Sequence, residues 1–266
     1  MLTPAVGSIP GVSLSKNTNW RIAIIGAPET GKTTSCLTFP NRIWANFDNK
    51  LCAGEQEIPF WNSAFCDSLV TRTAVGTPAN KRDAFNKWLK LHGTKLTPED
   101  TFIVDSSTIL EGSCDQQTML EEQLSTGDKN FDMRKFYGWK LHYAVGRMDL
   151  LKSLNCRLVI TFHETQERDK EGNLTGRIKP LQTGSFQNEL LGHFTDVWRM
   201  LARPSKRNEK GELVLDRFSK PIRDDGYYWQ IAGNEKINCL TNPTIDRKGL
   251  LRVKADYNEI LKLVKV

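Results

Sequence analysis

Residues 26–34 read GAPETGKTT and have the residue types and spacing of a loop that binds phosphate groups. Gly26, four further residues, then Gly31, Lys32 and Thr33 match the pattern G-x-x-x-x-G-K-[ST] without a mismatch. Such a loop presents backbone N–H groups to phosphate oxygens, its lysine reaches the outer phosphates and its hydroxyl is a ligand for Mg²⁺. We expect the whole segment to contact a nucleotide: Gly26, Ala27, Pro28, Glu29, Thr30, Gly31, Lys32, Thr33 and Thr34.

A magnesium–nucleotide complex needs a second protein anchor, usually a carboxylate at the end of an adjacent strand. The stretch TFIVDSS, residues 101–107, places Asp105 after four residues of buried character. We therefore predict that Thr33 and Asp105 together hold Mg²⁺. The alternative is that Asp105 caps the helix that follows it.

Apolar runs that are typical of buried strands alternate with helical patterns along the chain. The runs are RIAIIG, RIWANFD, TFIVDSS, RLVITFHE and TDVWRMLAR. Strands that alternate with helices predict right-handed crossovers and an α/β fold, in which helices cover both faces of a mainly parallel sheet. Helices are predicted directly after the phosphate loop, over ANKRDAFNKWLKLHG (79–93) and over RKFYGWKLHYAVGRMDLLKSL (134–154).

The last of these helices has aromatic and aliphatic residues at helical spacing. One side carries Phe136, Trp139, Tyr143, Leu150 and Leu154, which predicts a stripe that faces the core. The segment DKNFDMRKFYGWK also mixes aromatic with basic residues, as in surfaces where the bases of a single strand stack on rings. The sequence leaves both interpretations open.

Composition indicates an ordinary soluble protein. The chain has 266 residues, a formal net charge of +6 and 39% hydrophobic residues, and no apolar run approaches the roughly 18–20 residues that span a bilayer. The start MLTPAVGSIPGVSLSKNTN has neither the basic nor the apolar part of a signal peptide, so we expect a cytosolic protein. Six scattered cysteines indicate reduced thiols and neither a zinc site nor a disulfide framework.

From about residue 204 the sequence changes to polar turns and short β patterns: PSKRNEKGELVLDRF, GYYWQIAG and INCLTNPTIDRKGLL. These patterns predict C-terminal β-hairpin additions to the edge of the sheet. We divide the chain into an N-terminal arm (1–19), a core (20–203) and a β-rich extension of the same domain (204–266). A short last helix begins at Asp256 in DYNEILKLV.

The order of elements after the phosphate loop resembles that of the RecA-like recombination ATPases, over residues 20–203. It is most similar to the compact forms that bacteriophages encode for single-strand annealing. The resemblance implies a RecA-like P-loop NTPase core that binds ATP and Mg²⁺. It also implies single-stranded DNA and a single-strand-binding protein as partners, assembly into a homo-oligomer, and a location in the cytoplasm of a bacterial host cell.

The resemblance further implies roles near the nucleotide. His163 stands where the family places a polar side chain that senses the γ-phosphate, and a structural imidazole is the alternative. The glutamate that orients the attacking water has no counterpart, because its neighbourhood reads ANFDNKLCAG, with Lys50 near the expected site. Either Asp48 or Glu164 takes this role, or hydrolysis is slow.

Two further sets of residues follow from the same resemblance. Residues 165–184 correspond to a DNA-binding loop, although KEGN is also typical of a solvated hairpin turn. The candidate phosphate contacts in this loop are Arg168, Lys170, Arg177 and Lys179. Arg247 and Lys248 are candidates for a cation that enters a neighbouring subunit's nucleotide site, and a simple surface turn is the alternative.

Three other functions stay open at this level. The first is an ATPase that acts on a protein during phage replication loading or DNA packaging. The second is an ATP-gated oligomeric scaffold with negligible turnover, which the missing glutamate favours. The third is a nucleoside or small-molecule kinase, which the absence of an arginine-rich lid pattern disfavours.

Overall fold

The computed structural model describes residues 20–47, 85–86, 88–108, 111, 119, 132–182, 186–203, 205–223, 226–233, 239, 245 and 250–264. Asp48, Arg247, Lys248 and the N-terminal arm lie outside the described residues.

An eight-stranded sheet forms the centre of the molecule. Its strands are β1 (Arg21–Gly26), β2 (Arg42–Asn46), β3 (Thr101–Asp105), β4 (Arg157–Arg168), β5 (Leu174–Pro180), β6 (Asp196–Leu201), β7 (Tyr228–Gln230) and β8 (Arg252–Lys254). Their order is β2-β3-β4-β1-β6-β7-β8, and β5 pairs with β4 outside this row. Strands β2, β3, β4, β1 and β6 pair in parallel, and each coincides with one of the apolar runs. The prediction of a mainly parallel α/β sheet is therefore confirmed.

Helices flank this sheet. They are α1 (Lys32–Cys36), α2 (Met133–Lys152), α3 (Phe186–Glu189) and α4 (Tyr257–Leu261). Residues 85–86 and 88–92 are also helical, and 3₁₀ turns cover Gly93–Lys95 and Leu190–His193. Helix α4 begins as predicted, because the Asp256 carboxylate accepts a hydrogen bond from the Asn258 backbone N–H at 2.8 Å. No helix within the described ranges is both long and apolar enough to cross a membrane.

Each face of the sheet buries its own apolar layer. On the face that α2 covers, here called the α2 face, Ala23 and Ile25 of β1 pack with side chains of β3, β4 and β6. On the face that α1 covers, here called the α1 face, the rings of Trp20, Trp198 and Trp229 pack together. Their centroids are 5.9 Å apart for Trp20 and Trp198 and 4.8 Å apart for Trp198 and Trp229. Burial on both faces explains why the strands read as nearly continuous apolar runs.

The predicted core-facing stripe of α2 is wrong for Trp139 and Leu150, which are 36% and 41% exposed. The buried side of the helix instead carries Lys140, Ala144, Arg147, Met148 and Leu151. The Lys140 ammonium pairs with Glu111 at 3.0 Å, so its charge is compensated while its aliphatic stem packs against the core. A pattern that counts lysine and arginine as polar places the buried side wrongly here.

The predicted loop at 165–184 is a β-hairpin in its described part. Strand β4 continues past the end of β1 and pairs antiparallel with β5, with Thr165 opposite Lys179. The turn is held by Asp169, whose carboxylate accepts hydrogen bonds from the backbone N–H of Asn173 at 2.8 Å and from its side chain at 3.2 Å. In the chain, the hairpin comes directly after the buried residues 157–162 of β4.

The C-terminal part of the chain adds antiparallel pairs. Strand β7 pairs antiparallel with β6, and β8 pairs antiparallel with β7. In the chain between β6 and β7, residues 205–223 form an exposed antiparallel segment. Its isolated bridges join Ser205 to Arg223, Arg207 to Leu213, and Leu215 to Pro221.

A buried carboxylate at the start of β6 allows a test of this packing. Asp196 is fully buried and accepts hydrogen bonds from the Trp20 indole N–H at 2.5 Å and from the Thr195 hydroxyl at 3.0 Å. We expect Asp196→Ala to lower the free energy of unfolding by about 2–4 kcal/mol, because the indole N–H stays buried without an acceptor. Urea denaturation measures this change. Asp196→Asn is the matched control and should lose less, because its amide oxygen still accepts; equal losses in both variants would contradict the assignment.

Candidate phosphate and magnesium site

The loop between β1 and α1 curls around its own lysine. Lys32 is buried, and its ammonium donates to the carbonyl oxygens of Gly26 at 2.8 Å and Ala27 at 2.7 Å. The Thr30 hydroxyl donates to the Ala27 carbonyl at 2.8 Å. These bonds give the loop a defined shape before any ligand binds. Pro28, Glu29 and Thr34 are exposed.

Steric reasons require glycine at positions 26 and 31 of this loop. A Cβ atom on Gly26 would lie 2.8 Å from the Met200 Cβ. A Cβ atom on Gly31 would lie 2.3 Å from a ring carbon of Tyr227, and Gly31 has a φ of 90°, which side chains rarely adopt. The spacing of the two glycines therefore reflects close packing as well as phosphate binding.

The two predicted magnesium anchors lie together. The Thr33 hydroxyl donates to one carboxylate oxygen of Asp105 at 2.7 Å. The Thr161 hydroxyl of β4 donates to the other carboxylate oxygen at 2.5 Å. Asp105 itself is only 4% exposed. The expectation that Asp105 ends a strand adjacent to β1 is wrong, because β4 lies between β1 and β3.

These residues fit a magnesium ion. A threonine hydroxyl and a carboxylate are oxygen donors of the kind that Mg²⁺ prefers, and the ion usually keeps several of its waters in addition. When bound, Mg²⁺ neutralises charge on the phosphates. Lys32 would turn from the loop carbonyls toward the outer phosphates, and Thr33 and Asp105 would hold the ion.

A buried thiol lies close to this site but is not a nucleophile. Burial, and then the negative charge of Asp105, raise the pKa of the Cys36 thiol well above its usual value. The thiol therefore stays protonated at neutral pH, and the chemistry available at the site belongs to its oxygen donors and Lys32.

His163 and Glu164 lie on opposite faces of β4. His163 pairs in register with Gly26, and strand alternation places it on the α1 face with Thr161. Glu164 lies on the α2 face, where its two carboxylate oxygens accept hydrogen bonds from the Arg199 guanidinium at 2.9 and 3.1 Å. The structure thus brings His163 to the edge of the phosphate loop and places Glu164 in a bidentate ion pair.

The four predicted DNA contacts lie on the hairpin in different surroundings. Lys170 and Arg177 are exposed. Arg168 donates to the Gly172 carbonyl at 2.7 Å. The Lys179 ammonium lies 2.5 Å from Glu167 and lowers the pKa of that carboxyl.

Acidic residues offset much of this charge, because residues 165–182 contain four cations and the three acids Glu167, Asp169 and Glu171. The net charge of the hairpin is therefore only +1, from 4 − 3.

Sequence reasoning missed Thr161, Arg199 and Tyr227. The sequence gives only a weak indication that Thr161 is functional, since it is a polar residue inside the buried run RLVITFHE, two positions before His163. Arg199 and Tyr227 had none, because their contacts depend on the strand order.

The chain matches a known protein family. The family model described as AAA domain matches residues 18–224, a span that includes the phosphate loop, Asp105 and the hairpin. A search of curated proteins found no matching relative.

The magnesium assignment predicts a specific loss in one variant. Thr33→Val removes the hydroxyl and keeps the shape of the side chain. We therefore expect the ratio of ATP affinity with Mg²⁺ to ATP affinity without it to fall by roughly tenfold to a hundredfold. Calorimetric titration with ATP, in magnesium and in EDTA, measures this difference. Thr33→Ser keeps the hydroxyl and should behave like the natural protein. A valine variant with full magnesium dependence would show that this hydroxyl is not a ligand.

Proposed function

We propose a nucleotide-controlled function for this chain, which belongs to the AAA domain family of P-loop ATPases. In this proposal it is a RecA-like member of the bacteriophage type that binds Mg-ATP and single-stranded DNA. It promotes strand annealing and recombination in the cytoplasm of a bacterial host, as a homo-oligomer and alongside a single-strand-binding protein. The state of the nucleotide sets its affinity for the DNA strand.

The contact between Thr33 and Asp105 is the observation that carries nucleotide binding. The two residues are separated by 72 positions, yet a hydroxyl and a carboxylate that the sequence assigned to one metal ion meet at 2.7 Å. A helix-capping role for Asp105 does not account for this contact. The buried lysine and the positive φ of Gly31 complete a loop of the shape that phosphate binding requires.

Strand β4 supports coupling between the nucleotide and the hairpin. Its buried half contributes Thr161, which holds Asp105, and its first half-exposed residue is His163, which lies beside Gly26. The same strand then continues into the exposed hairpin. A movement of the phosphate loop that displaces these two side chains would therefore act directly on the base of the hairpin.

A second connection lies at the other end of the hairpin. The Gln182 side chain, two residues after β5, donates to the Ser107 hydroxyl at 3.1 Å. Ser107 is two residues after Asp105. Both ends of the hairpin thus contact segments that form the nucleotide site.

The charge on the hairpin supports modest affinity for a strand. Lys170 and Arg177 are exposed cations that a phosphate backbone would meet first, while Arg168, also exposed, donates to the Gly172 carbonyl and Glu167 partly neutralises Lys179. We therefore propose that the hairpin contacts few phosphates, and that oligomerisation supplies the remaining affinity through several hairpins on one strand.

One observation favours an ATP-gated scaffold with little hydrolysis as a second candidate. Glu164, one of the two residues proposed to orient the attacking water, is engaged by both donors of Arg199. Both of its carboxylate oxygens are directed toward Arg199 on the α2 face, whereas Thr161, which contacts Asp105, lies on the α1 face. The scaffold would share the nucleotide site and the DNA contacts but would release little phosphate.

The hairpin charges predict a salt dependence. If two to four phosphates are contacted, the logarithm of affinity for single-stranded DNA should fall against the logarithm of salt with a slope of about −1.4 to −2.8. Lys170→Gln and Arg177→Gln should each reduce the magnitude of the slope by about 0.7. Fluorescence anisotropy with a labelled oligonucleotide measures it. Lys90→Gln, which removes an exposed lysine from the helical segment 88–92, is the control, and an equal effect there would contradict a specific role for the hairpin.

The connection through Gln182 predicts a loss of coupling. In the natural protein, affinity for single-stranded DNA should differ between ATP and ADP. Gln182→Ala should reduce that difference severalfold while ATP affinity stays nearly unchanged, because the variant removes the bond to Ser107 and leaves the phosphate loop and Asp105 intact. Lys32→Ala serves as the control that lacks ATP binding and phosphate release. Identical DNA affinity of the natural protein in both nucleotides would disprove the coupling.

A further inference from the structure

We propose that the ring of Tyr227 binds the base of the nucleotide, and that this contact makes the site prefer a nucleoside triphosphate over a bare phosphate chain. The proposal rests on the nucleotide-binding function proposed above. It names the surface that would recognise the nucleoside, which neither the loop motif nor the family match assigns.

The position of the magnesium anchors gives the direction of the bound nucleotide. Asp105 and Thr161 lie on the side of the phosphate loop where β4 and β3 follow β1. The metal and the outer phosphates belong on that side, because Thr33, Asp105 and Lys32 act on them. The phosphate chain runs along the loop, so its nucleoside end leaves toward the opposite side, where β6 and β7 lie.

Tyr227 occupies that opposite side and touches the loop itself. It immediately precedes β7, and three of its ring carbons would lie 2.3, 2.4 and 2.8 Å from a Cβ atom on Gly31. Only glycine at this position allows the ring to approach so closely. The Tyr227 carbonyl accepts a hydrogen bond from the Ala255 N–H at 2.8 Å, which fixes its backbone. The ring is half-buried against the apolar layer of the α1 face, so part of it remains accessible.

Arg203 positions this ring. Its guanidinium carbon lies 5.3 Å from the centre of the Tyr227 ring, within the range of a cation–π contact, and its side chain is exposed. An aromatic ring next to a planar cation is a surface on which a nucleobase stacks favourably, and the positive charge suits a ligand that carries phosphates. The Tyr227 ring would contact the base, and Arg203 would hold the ring.

The adjacent residue provides a matched control. Tyr228 is also half-buried and also carries an arginine over its ring, with the Arg252 guanidinium carbon 5.4 Å from the ring centre. Strand alternation directs Tyr228 to the other face of the sheet, away from Gly31. The two tyrosines therefore share chemistry and secondary structure but differ in their distance from the phosphate loop.

Calorimetric titration with Mg-ATP and with magnesium tripolyphosphate distinguishes the contribution of the base to binding from that of the phosphates. Tyr227→Leu should weaken Mg-ATP binding by about 5-fold to 100-fold, the range expected for one stacked base, and should change tripolyphosphate binding by less than about twofold. Tyr227→Phe keeps the ring and should retain most of the Mg-ATP affinity that Tyr227→Leu loses. Tyr228→Leu lies on the other face and should bind Mg-ATP like the natural protein. Thermal unfolding of each variant verifies that it is folded.

A measurement on the natural protein covers the case in which Tyr227→Leu does not fold. Tetranitromethane nitrates accessible tyrosine rings, and mass spectrometry locates the nitrated residues. Mg-ATP should protect Tyr227 from nitration, whereas tripolyphosphate should not, and nitration of Tyr228 should be the same in both.

The outcomes distinguish this inference from the function on which it rests. Equal weakening of ATP and tripolyphosphate binding by Tyr227→Leu would show that the ring only shapes the loop, and an unchanged ATP affinity would show that it does not touch the base. Either result overturns the role of Tyr227 and leaves nucleotide binding intact. Failure of the natural protein to bind either ligand overturns the nucleotide site itself, and the role of Tyr227 with it.

Discussion

The buried carboxylate of Asp105 is the group on which the arrangement of the site depends. It accepts hydrogen bonds from Thr33 at the start of α1 and from Thr161 in β4. An ionised carboxylate in a buried position needs such partners, because its desolvation is otherwise costly. Three separate segments of chain must therefore keep their relative positions for this one group to stay satisfied. The strand order places β4 between β1 and β3, and Thr161 of β4 spans the distance between them to reach Asp105.

The sheet could be predicted from the sequence because its strands are buried on both faces. Such strands read as apolar runs with no alternation, and all five parallel strands appear in this way. The phosphate loop could be predicted because its chemistry requires particular residues at fixed spacing. Helix α4 could be predicted because Asp256 is a good N-cap. Each of these signals is local in the sequence.

The remaining features depend on contacts between distant segments or on compensated charges. The pairing of Glu164 with Arg199 and the contact of Tyr227 with Gly31 arise only after the strands take their order. The buried side of α2 was misplaced because Lys140 is neutralised by Glu111, which no periodicity reveals. The resemblance predicts a DNA-binding loop at 165–184 with a hairpin turn at KEGN as the alternative, and backbone pairing and the Asp169 turn make the described part a hairpin.

Strand β4 joins two regions with different physical properties. Its first six residues are buried, and its last six are mostly half-exposed or exposed on the hairpin. The buried half is fixed by pairing with both β1 and β3. The outer half pairs with β5 and has few apolar contacts, so local opening of the hairpin should require much less free energy than opening of the core. A single strand thus connects a rigid site to a more adaptable one.

The tryptophan rings of the α1 face have an optical consequence. Trp20, Trp198 and Trp229 are fully buried, and their neighbouring centroids are 4.8 and 5.9 Å apart. Chromophores held this closely in one fixed, asymmetric arrangement give the protein a near-ultraviolet circular dichroism signal that reports their tertiary packing. The native order of the apolar layer on the α1 face can therefore be followed in solution without a label.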